Sequence, residues 1–249
     1  MEENLQKLSF RVYYRYLVAV LLKYKILNEK IFKFFHPPKI ESDIFYLSQI
    51  IKKNAVCIDI GANVGMYTCK LSSLVDRNGQ VLAFEPSPLV FRFLRRNVNG
   101  GFKKLRNVKI FNLAIGSKQD SVSLIYSREK NGRISDPLTR IGSEWTGSMS
   151  FKMVTLDSMV KELGLQNIDF IKIDVEGYEF NVLLGAIETI SRCHPVLLME
   201  IDDVWLERYN SSSIDIIDLL KSYGYNAFIL RQEKIQELNG SYQGNIYFR

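Results

Sequence analysis

The chain has 249 residues, 47% of them hydrophobic and 24% charged, with 15 Gly and 6 Pro; that is the make-up of one ordinary globular domain with an appendage. A chain of this length buries roughly 70–75% of the surface it exposes when unfolded, so its core needs no disulfide or metal staple, and disordered, collagen-like and knottin-like classes are excluded. The 33 Lys+Arg against 27 Asp+Glu leave a net charge of +6, which permits attraction to anionic lipid, acidic glycan or nucleic acid and establishes none of them.

The three cysteines, Cys57, Cys69 and Cys193, are odd in number, far apart and in apolar contexts. They read as reduced core thiols of a cytoplasmic protein. With only His36 and His194 present, a multi-histidine zinc site cannot be built. Two glutamates within Met1 to Lys7 speak against a signal peptide, and the longest uncharged run near the start, Tyr16 to Leu22, is seven residues, too short to span a bilayer.

Taken in chain order, Phe10 to Phe35 places Val12, Tyr16, Ala19, Leu22 and Ile26 at helical steps among Arg11, Arg15, Lys23 and Lys25. This predicts an N-terminal helical extension over 1–45, packing on the main domain, with a basic aromatic surface that suits peripheral contact with a membrane through 10–35. His36-Pro37-Pro38 ends the pattern. The main domain is expected over 46–249.

From Asn54 the rhythm changes to short apolar runs alternating with amphipathic segments. Strands are expected at Ala55–Ile60, Val81–Phe84 and Val108–Phe111, with helices at Gly65–Leu74 and Pro88–Asn97. Such alternation predicts βαβ units and a mostly parallel sheet with helices on both faces. An insertion over about 121–154 breaks the pattern, with an inserted hairpin or edge strand expected at Ser121–Ile125 and Ser148–Val154. Order returns with a helix at Leu156–Leu163, a strand through Phe170 to Asp174, a helix at Glu179–Ile190, a strand at Val196–Ile201, a helix at Ser213–Tyr223 and a closing pair at Asn226–Leu230 and Asn245–Phe248. No internal repeat is present, and about seven core strands result.

In open α/β sheets the ligand sits beyond the C-terminal ends of the strands, where strand order reverses. The first strand delivers Asp59-Ile60-Gly61-Ala62-Asn63-Val64-Gly65. Gly61 suits a tight turn with close backbone approach, and Gly65 lets the next helix start near a ligand. The segment lacks the G-x-G-x-x-G of nicotinamide binders, and a carboxylate at Asp59 repels a pyrophosphate while favouring an ammonium. A dehydrogenase is therefore disfavoured. The second strand ends at Glu85, 26 positions on, near the spacing at which an acid meets a ribose diol. Together the two acids point to a nucleoside carrying a cationic amino-acid tail.

Asp59-Ile-Gly-Ala-Asn-Val-Gly-Met-Tyr-Thr68, Phe84-Glu85-Pro86, Leu113-Ala114-Ile115-Gly116, Ile171-Lys-Ile-Asp-Val-Glu-Gly-Tyr-Glu179 and Pro195-Val-Leu-Leu-Met-Glu200 together resemble the FkbM-type branch of the class I S-adenosylmethionine-dependent methyltransferases. The resemblance covers about 55–200. It implies a Rossmann-like seven-stranded sheet with an antiparallel last strand, S-adenosylmethionine as cofactor, and O-methylation of a sugar, glycan or polyketide-type acceptor. Carried over by position, it puts Asp59, Gly61, Ala62, Asn63 and Gly65 around the methionine part, Glu85 on the ribose, Pro86 and Ser87 along the adenosine, and Asn112 and Ala114 against the adenine.

Lys172-Ile173-Asp174-Val175-Glu176-Gly177 places two carboxylates at a strand exit, on one face if the strand extends that far. Methyl transfer needs an oxygen positioned in line and a group to take its proton. Asp174 is expected to touch the cofactor or an acceptor hydroxyl, and Glu176 is the first choice for the base. Lys172 is read as a snorkelling side chain at the core edge, in preference to an acceptor-side electrostatic group. His194, before Pro195, reads as a surface or capping residue. Glu200, Asp202 and Asp203, with Asp174, could hold a divalent cation through oxygen ligands, but no metal is predicted. Tyr126, Arg128, Arg133, Arg140 and Trp145 in the insertion could form an acceptor platform. An RNA substrate is disfavoured because no basic cluster is interleaved with stacking aromatics. A non-enzymatic membrane-surface protein built on 10–35 is the remaining alternative.

Overall fold

The computed structural model describes residues 43–100, 104–125, 140–141, 148–231, 234–238, 240 and 242–249. The extension expected over 1–45 lies outside these except for its last three residues. Those belong to a helix, α1 (Asp43–Ile50), which docks on the domain through Ile44 and Leu47, both fully buried. The Asp43 carboxylate accepts the Tyr247 hydroxyl at 2.7 Å and the Asn245 amide at 3.1 Å, tying this helix to the far end of the chain.

The next elements are β1 (Val56–Ile60), α2 (Met66–Val75), β2 (Gln80–Phe84), α3 (Pro88–Asn99) and β3 (Val108–Phe111). After the insertion follow α4 (Leu156–Glu162), β8 (Phe170–Ile173), α5 (Glu179–Leu184), α6 (Ile187–Cys193), β9 (Val196–Ile201), α7 (Asp203–Leu206), α8 (Ser213–Ser222), β10 (Ala227–Arg231), β11 (Lys234–Glu237) and β12 (Gly244–Phe248). They build an eight-stranded sheet in the order β11-β10-β12-β9-β8-β1-β2-β3. The five strands from β9 to β3 are parallel, and β12 is inserted antiparallel between β9 and β10. The mostly parallel sheet is as expected from the alternation of runs.

Both faces of the sheet are covered, as continuous apolar strands require. Ile58, Ile60, Leu82, Ile171 and Met199 face one side with Leu156, Val182, Ile190 and Ile216 of α4, α5, α6 and α8. Cys57, Val81, Ala83, Phe170 and Leu198 face the other with Leu47, Leu71, Val75 and Leu94 of α1, α2 and α3. Cys57 and Cys69 are buried free thiols within that second layer.

Two departures from the expected elements have local causes. The eighth strand, β11, lies on the outer edge and is mostly exposed; a polar edge strand carries no hydrophobic alternation to reveal it. The single helix expected over Glu179–Ile190 is two helices, broken at Gly185. A Cβ there would stand 2.0 Å from the Gly116 carbonyl oxygen, so the chain can pass only as glycine. The Asp157 carboxylate then starts α6 by accepting the amides of Glu188 at 3.0 Å and Thr189 at 2.8 Å.

The insertion contributes β5 (Asp120–Ile125), β6 (Arg140–Ile141) and β7 (Ser148–Val154), which join β4 (Ala114–Ile115), just before it, in a second, four-stranded sheet in the order β4-β7-β5-β6. The expected hairpin partners, β5 and β7, pair antiparallel from Asp120↔Met153 to Ile125↔Ser148. Among the described residues, no helix is long and apolar enough to cross a membrane.

Candidate active site

Strand order reverses between β1 and β8, and their C-terminal ends open a cleft lined by Asp59, Gly61, Ala62, Asn63, Val64, Met66, Tyr67, Lys172 and Asp174. The turn after β1 is shaped by left-handed backbone at Gly61 (φ 79°), Asn63 (φ 51°) and Gly65 (φ 92°). At Gly61 the constraint is twofold, since a Cβ would also lie 1.8 Å from the Asp174 carbonyl oxygen. The turn is held by the Phe84 carbonyl, which accepts the amides of Gly61 at 3.0 Å and Ala62 at 2.9 Å.

Asp59 is 1% exposed and accepts the Thr68 hydroxyl at 2.5 Å from α2. Burial pushes its carboxyl up to about 6, against the opposing pull of the Thr68 hydrogen bond and of Lys172. Glu85 is 3% exposed. It accepts the amide of Asn63 at 2.9 Å through one oxygen and that of Ser87 at 2.8 Å through the other, so the tip of β2 holds the glycine turn of β1. Burial raises Glu85 to about 7, with the two amides pulling the other way.

The neighbours of Glu85 hold its position. Ser87 caps α3, with Pro88 in its first turn, and Asn112 donates to the carbonyls of Glu85 and Pro86, both at 2.8 Å. Ala114 is buried against Phe151 and Met153 in the second sheet.

The expectation that Asp174 and Glu176 share a strand face is not met. Strand β8 ends at Ile173, and Glu176 turns into left-handed backbone at φ 57° before Gly177 at φ 104°. The cause is a residue to which the sequence reading assigned no role. Glu179, 1% exposed, reaches back from α5 to accept the amides of Val175 at 3.0 Å and Gly177 at 3.2 Å through Oε1, which ends the extension. Among the described residues its Oε2 is buried without a hydrogen-bond partner, and burial raises its carboxyl to about 7. The only sequence signal was its place in Asp-Val-Glu-Gly-Tyr-Glu. Asp174 lines the cleft, and its Oδ2 stands 3.1 Å from Lys172 Nζ. Lys172 does not snorkel: it is 1% exposed.

His194 lies on the opposite edge, capping α6 in left-handed backbone and stacking on Tyr225 with ring centroids 4.1 Å apart. Asp202 caps α7 by accepting the Val204 amide, and Asp203 accepts the Ser213 amide and hydroxyl. Among the described residues, no three His, Cys, Asp or Glu side chains gather as a metal-ligand group. Tyr126, Arg128, Arg133 and Trp145 lie outside the described residues, as does the side chain of Arg140.

The sheet order with β12 inverted beside β9 defines a Rossmann-like fold, with acids at the tips of β1 and β2. Residues 59–227 match the FkbM methyltransferase domain, and the chain belongs to that family. It is 27% identical over 189 residues to the 2-O-methyltransferase NoeI of Sinorhizobium fredii, covering 71% of this chain and 75% of that protein. It is 25% identical over 159 residues to the hexuronic acid methyltransferase AglP of Haloferax volcanii, covering 64% of this chain and 61% of AglP. The crystal structure of an FkbM methyltransferase from Methylobacillus flagellatus shares the fold with a TM-score of 0.53 at 17% identity, covering all of this chain and 57% of that one.

Proposed function

We propose that this methyltransferase uses S-adenosylmethionine to methylate a hydroxyl of a sugar or glycan-type acceptor. The observation that carries the cofactor reading is the pair of buried carboxylates, Asp59 and Glu85, on neighbouring strand tips around a glycine turn. Carboxylates there suit an ammonium group and a ribose diol, and they penalise a diphosphate. The residues present therefore fit the group.

Asp59, Gly61, Ala62, Asn63 and Gly65 would hold its amino-acid part, Glu85 its ribose, and Pro86, Ser87 and Asn112 the nucleoside side. Ala114 acts through the packing that anchors the second sheet. When bound, the cofactor supplies an electrophilic methyl group on a sulfonium sulfur.

The chain supplies position and a proton acceptor. Asp174 lines the cleft with Oδ2 3.1 Å from Lys172 Nζ, and its carboxylate, in place of the Glu176 first expected as base, takes the acceptor hydroxyl's proton as the new bond forms. Glu176, carried on the turn that Glu179 holds, is the second acceptor-side carboxylate. Transfer to an oxygen is supported by the name of NoeI, a 2-O-methyltransferase, and the sugar class by that of AglP, a hexuronic acid methyltransferase. A methyl-labelled cofactor incubated with fractionated cell glycans tests the reading: label in a sugar ether supports it, and label only in lipid or polyketide fractions refutes the acceptor class.

A further inference from the structure

Lys172 occupies a position that the fold alone would fill with an apolar residue. It lies opposite Asp59 in the β1–β8 register and on the layer formed by Cys57, Phe170 and Leu198. Burying an ammonium is costly unless it is matched by opposite charge. Its Nζ is 3.1 Å from Asp174 Oδ2 and 4.7 Å from the centroid of the Tyr67 ring. These contacts place a cation at the floor of a cleft whose other charged lining residues are the acids Asp59 and Asp174.

We infer that Lys172 is a positioning residue, the internal counter-ion that keeps Asp59 and Asp174 ionised and thereby sets the pH range over which the cleft accepts a cationic ligand. The groups facing Asp59 are few. Helix α2 brings the Thr68 hydroxyl and the Tyr67 ring, β8 and its exit bring Lys172 and Asp174, the tip of β2 brings Glu85, and β1 itself carries the Cys57 thiol. Asp174 and Glu85 repel a charge on Asp59, Thr68 hydrogen-bonds to it, and among the described residues Lys172 is the cation that attracts it. Without that cation, mutual repulsion and burial would push the Asp59 carboxyl further up, with the Thr68 hydrogen bond left to oppose them.

The ligand in this inference rests on the cofactor reading above, but its electrostatics do not. The test therefore reads Asp59 directly, through the pH titration of its side-chain carboxyl carbon by NMR, assigned by loss of the signal in Asp59→Asn. Lys172→Met is expected to raise the Asp59 midpoint by about one pH unit or more, and Lys172→Arg to leave it near that of the parent. Asp174→Asn, which removes a repelling charge and leaves the lysine, is expected to lower it. Opposite shifts from two substitutions in one ion pair are not produced by general loosening of the fold. An unchanged midpoint in Lys172→Met overturns the inference; should that variant fail to fold, an unchanged or raised midpoint in Asp174→Asn does so.

Calorimetric titration with S-adenosylhomocysteine adds the ligand. Lys172→Met is expected to bind about twofold more weakly than the parent at pH 7 for a midpoint raised by one unit, or roughly tenfold for one raised by two, and to approach the parent's affinity by about pH 9. Loss of affinity by the same factor at both pH values counts against the inference. If the parent binds neither this compound nor S-adenosylmethionine while the Asp59 midpoints move as stated, the cofactor reading falls and the counter-ion role stands.

Discussion

Glu85 accepts the backbone amide of Asn63 at 2.9 Å, so the acid at the tip of β2 holds the loop that leaves β1. Its other oxygen accepts the Ser87 amide at 2.8 Å. A carboxylate can serve both amides at once, whereas a carboxamide has one acceptor oxygen. Glu85→Gln is therefore expected to cost about 1–3 kcal/mol in denaturant unfolding, the penalty of one unsatisfied buried donor, and to abolish measurable binding of S-adenosylhomocysteine. Parental stability in the variant would show that the two hydrogen bonds do not hold the turn.

Gly61 and Gly164 both have positive φ, at 79° and 65°, but a Cβ at Gly61 meets the Asp174 carbonyl oxygen while a Cβ at Gly164 meets nothing within 4 Å. Gly164→Ala is expected to cost about 1 kcal/mol, the strain of left-handed backbone alone. Gly61→Ala combines that strain with a backbone collision and is expected to cost more than about 3 kcal/mol and to close the cleft. Urea midpoints of the two variants measure the difference; equal losses would place the cause in φ and remove the close approach from the account.

Glu179 arranges the turn that carries Glu176 by accepting two amides through one oxygen. Glutamine keeps an oxygen there and alanine does not. Glu179→Gln is expected to stay within about 1 kcal/mol of the parent, and Glu179→Ala to lose about 2 kcal/mol or more. Turnover should drop in the alanine variant at least tenfold more than S-adenosylhomocysteine affinity does, because the cofactor-facing residues are held by other contacts. A parallel fall of both would give Glu179 a purely structural part.

The ligand-free protein should lose stability as pH rises. Burial holds Asp59 at about 6, Glu85 at about 7 and Glu179 at about 7. All three lie above the unfolded carboxyl range near 4, so at intermediate pH the folded chain keeps protons that the unfolded chain has released. Their contribution is fully present below about pH 4 and is lost as pH climbs through 6 to 7. The urea midpoint is expected to fall between pH 5 and pH 8, and Asp59→Asn should flatten the lower part of that fall. A midpoint that climbs over the same interval contradicts the assigned protonation states.

Much of this was legible in the residues before any coordinates. The strands at Val108–Phe111, Ser148–Val154 and Val196–Ile201 coincide with their expected bounds, and the other expected strands fall within one residue, because short runs dominated by apolar residues mark strands even where a charged residue such as Lys109 or Glu200 interrupts them. Asp59 and Glu85 were visible as acids on neighbouring strand tips because the strand ends of a doubly wound sheet converge on one edge. The break at Gly185 was not visible: it depends on the Gly116 carbonyl, which is distant in sequence. The turn at Glu176 was missed because a carboxylate four residues from Val175 ends the extension, and local pattern shows no such hydrogen bond.

By itself, then, the order of apolar and polar residues determined the sheet, its covering helices and the edge where chemistry gathers, since burial follows periodicities of two and 3.6 residues along one chain. Only the tertiary structure decided that Lys172 is buried against Asp174 instead of reaching for water, that Glu179 rather than a longer strand shapes the exit of β8, and that β12 slots between β9 and β10. Those outcomes depend on charge, close approach and strand pairing between segments remote in sequence, and such interactions acquire an energy only once the chain has brought them together.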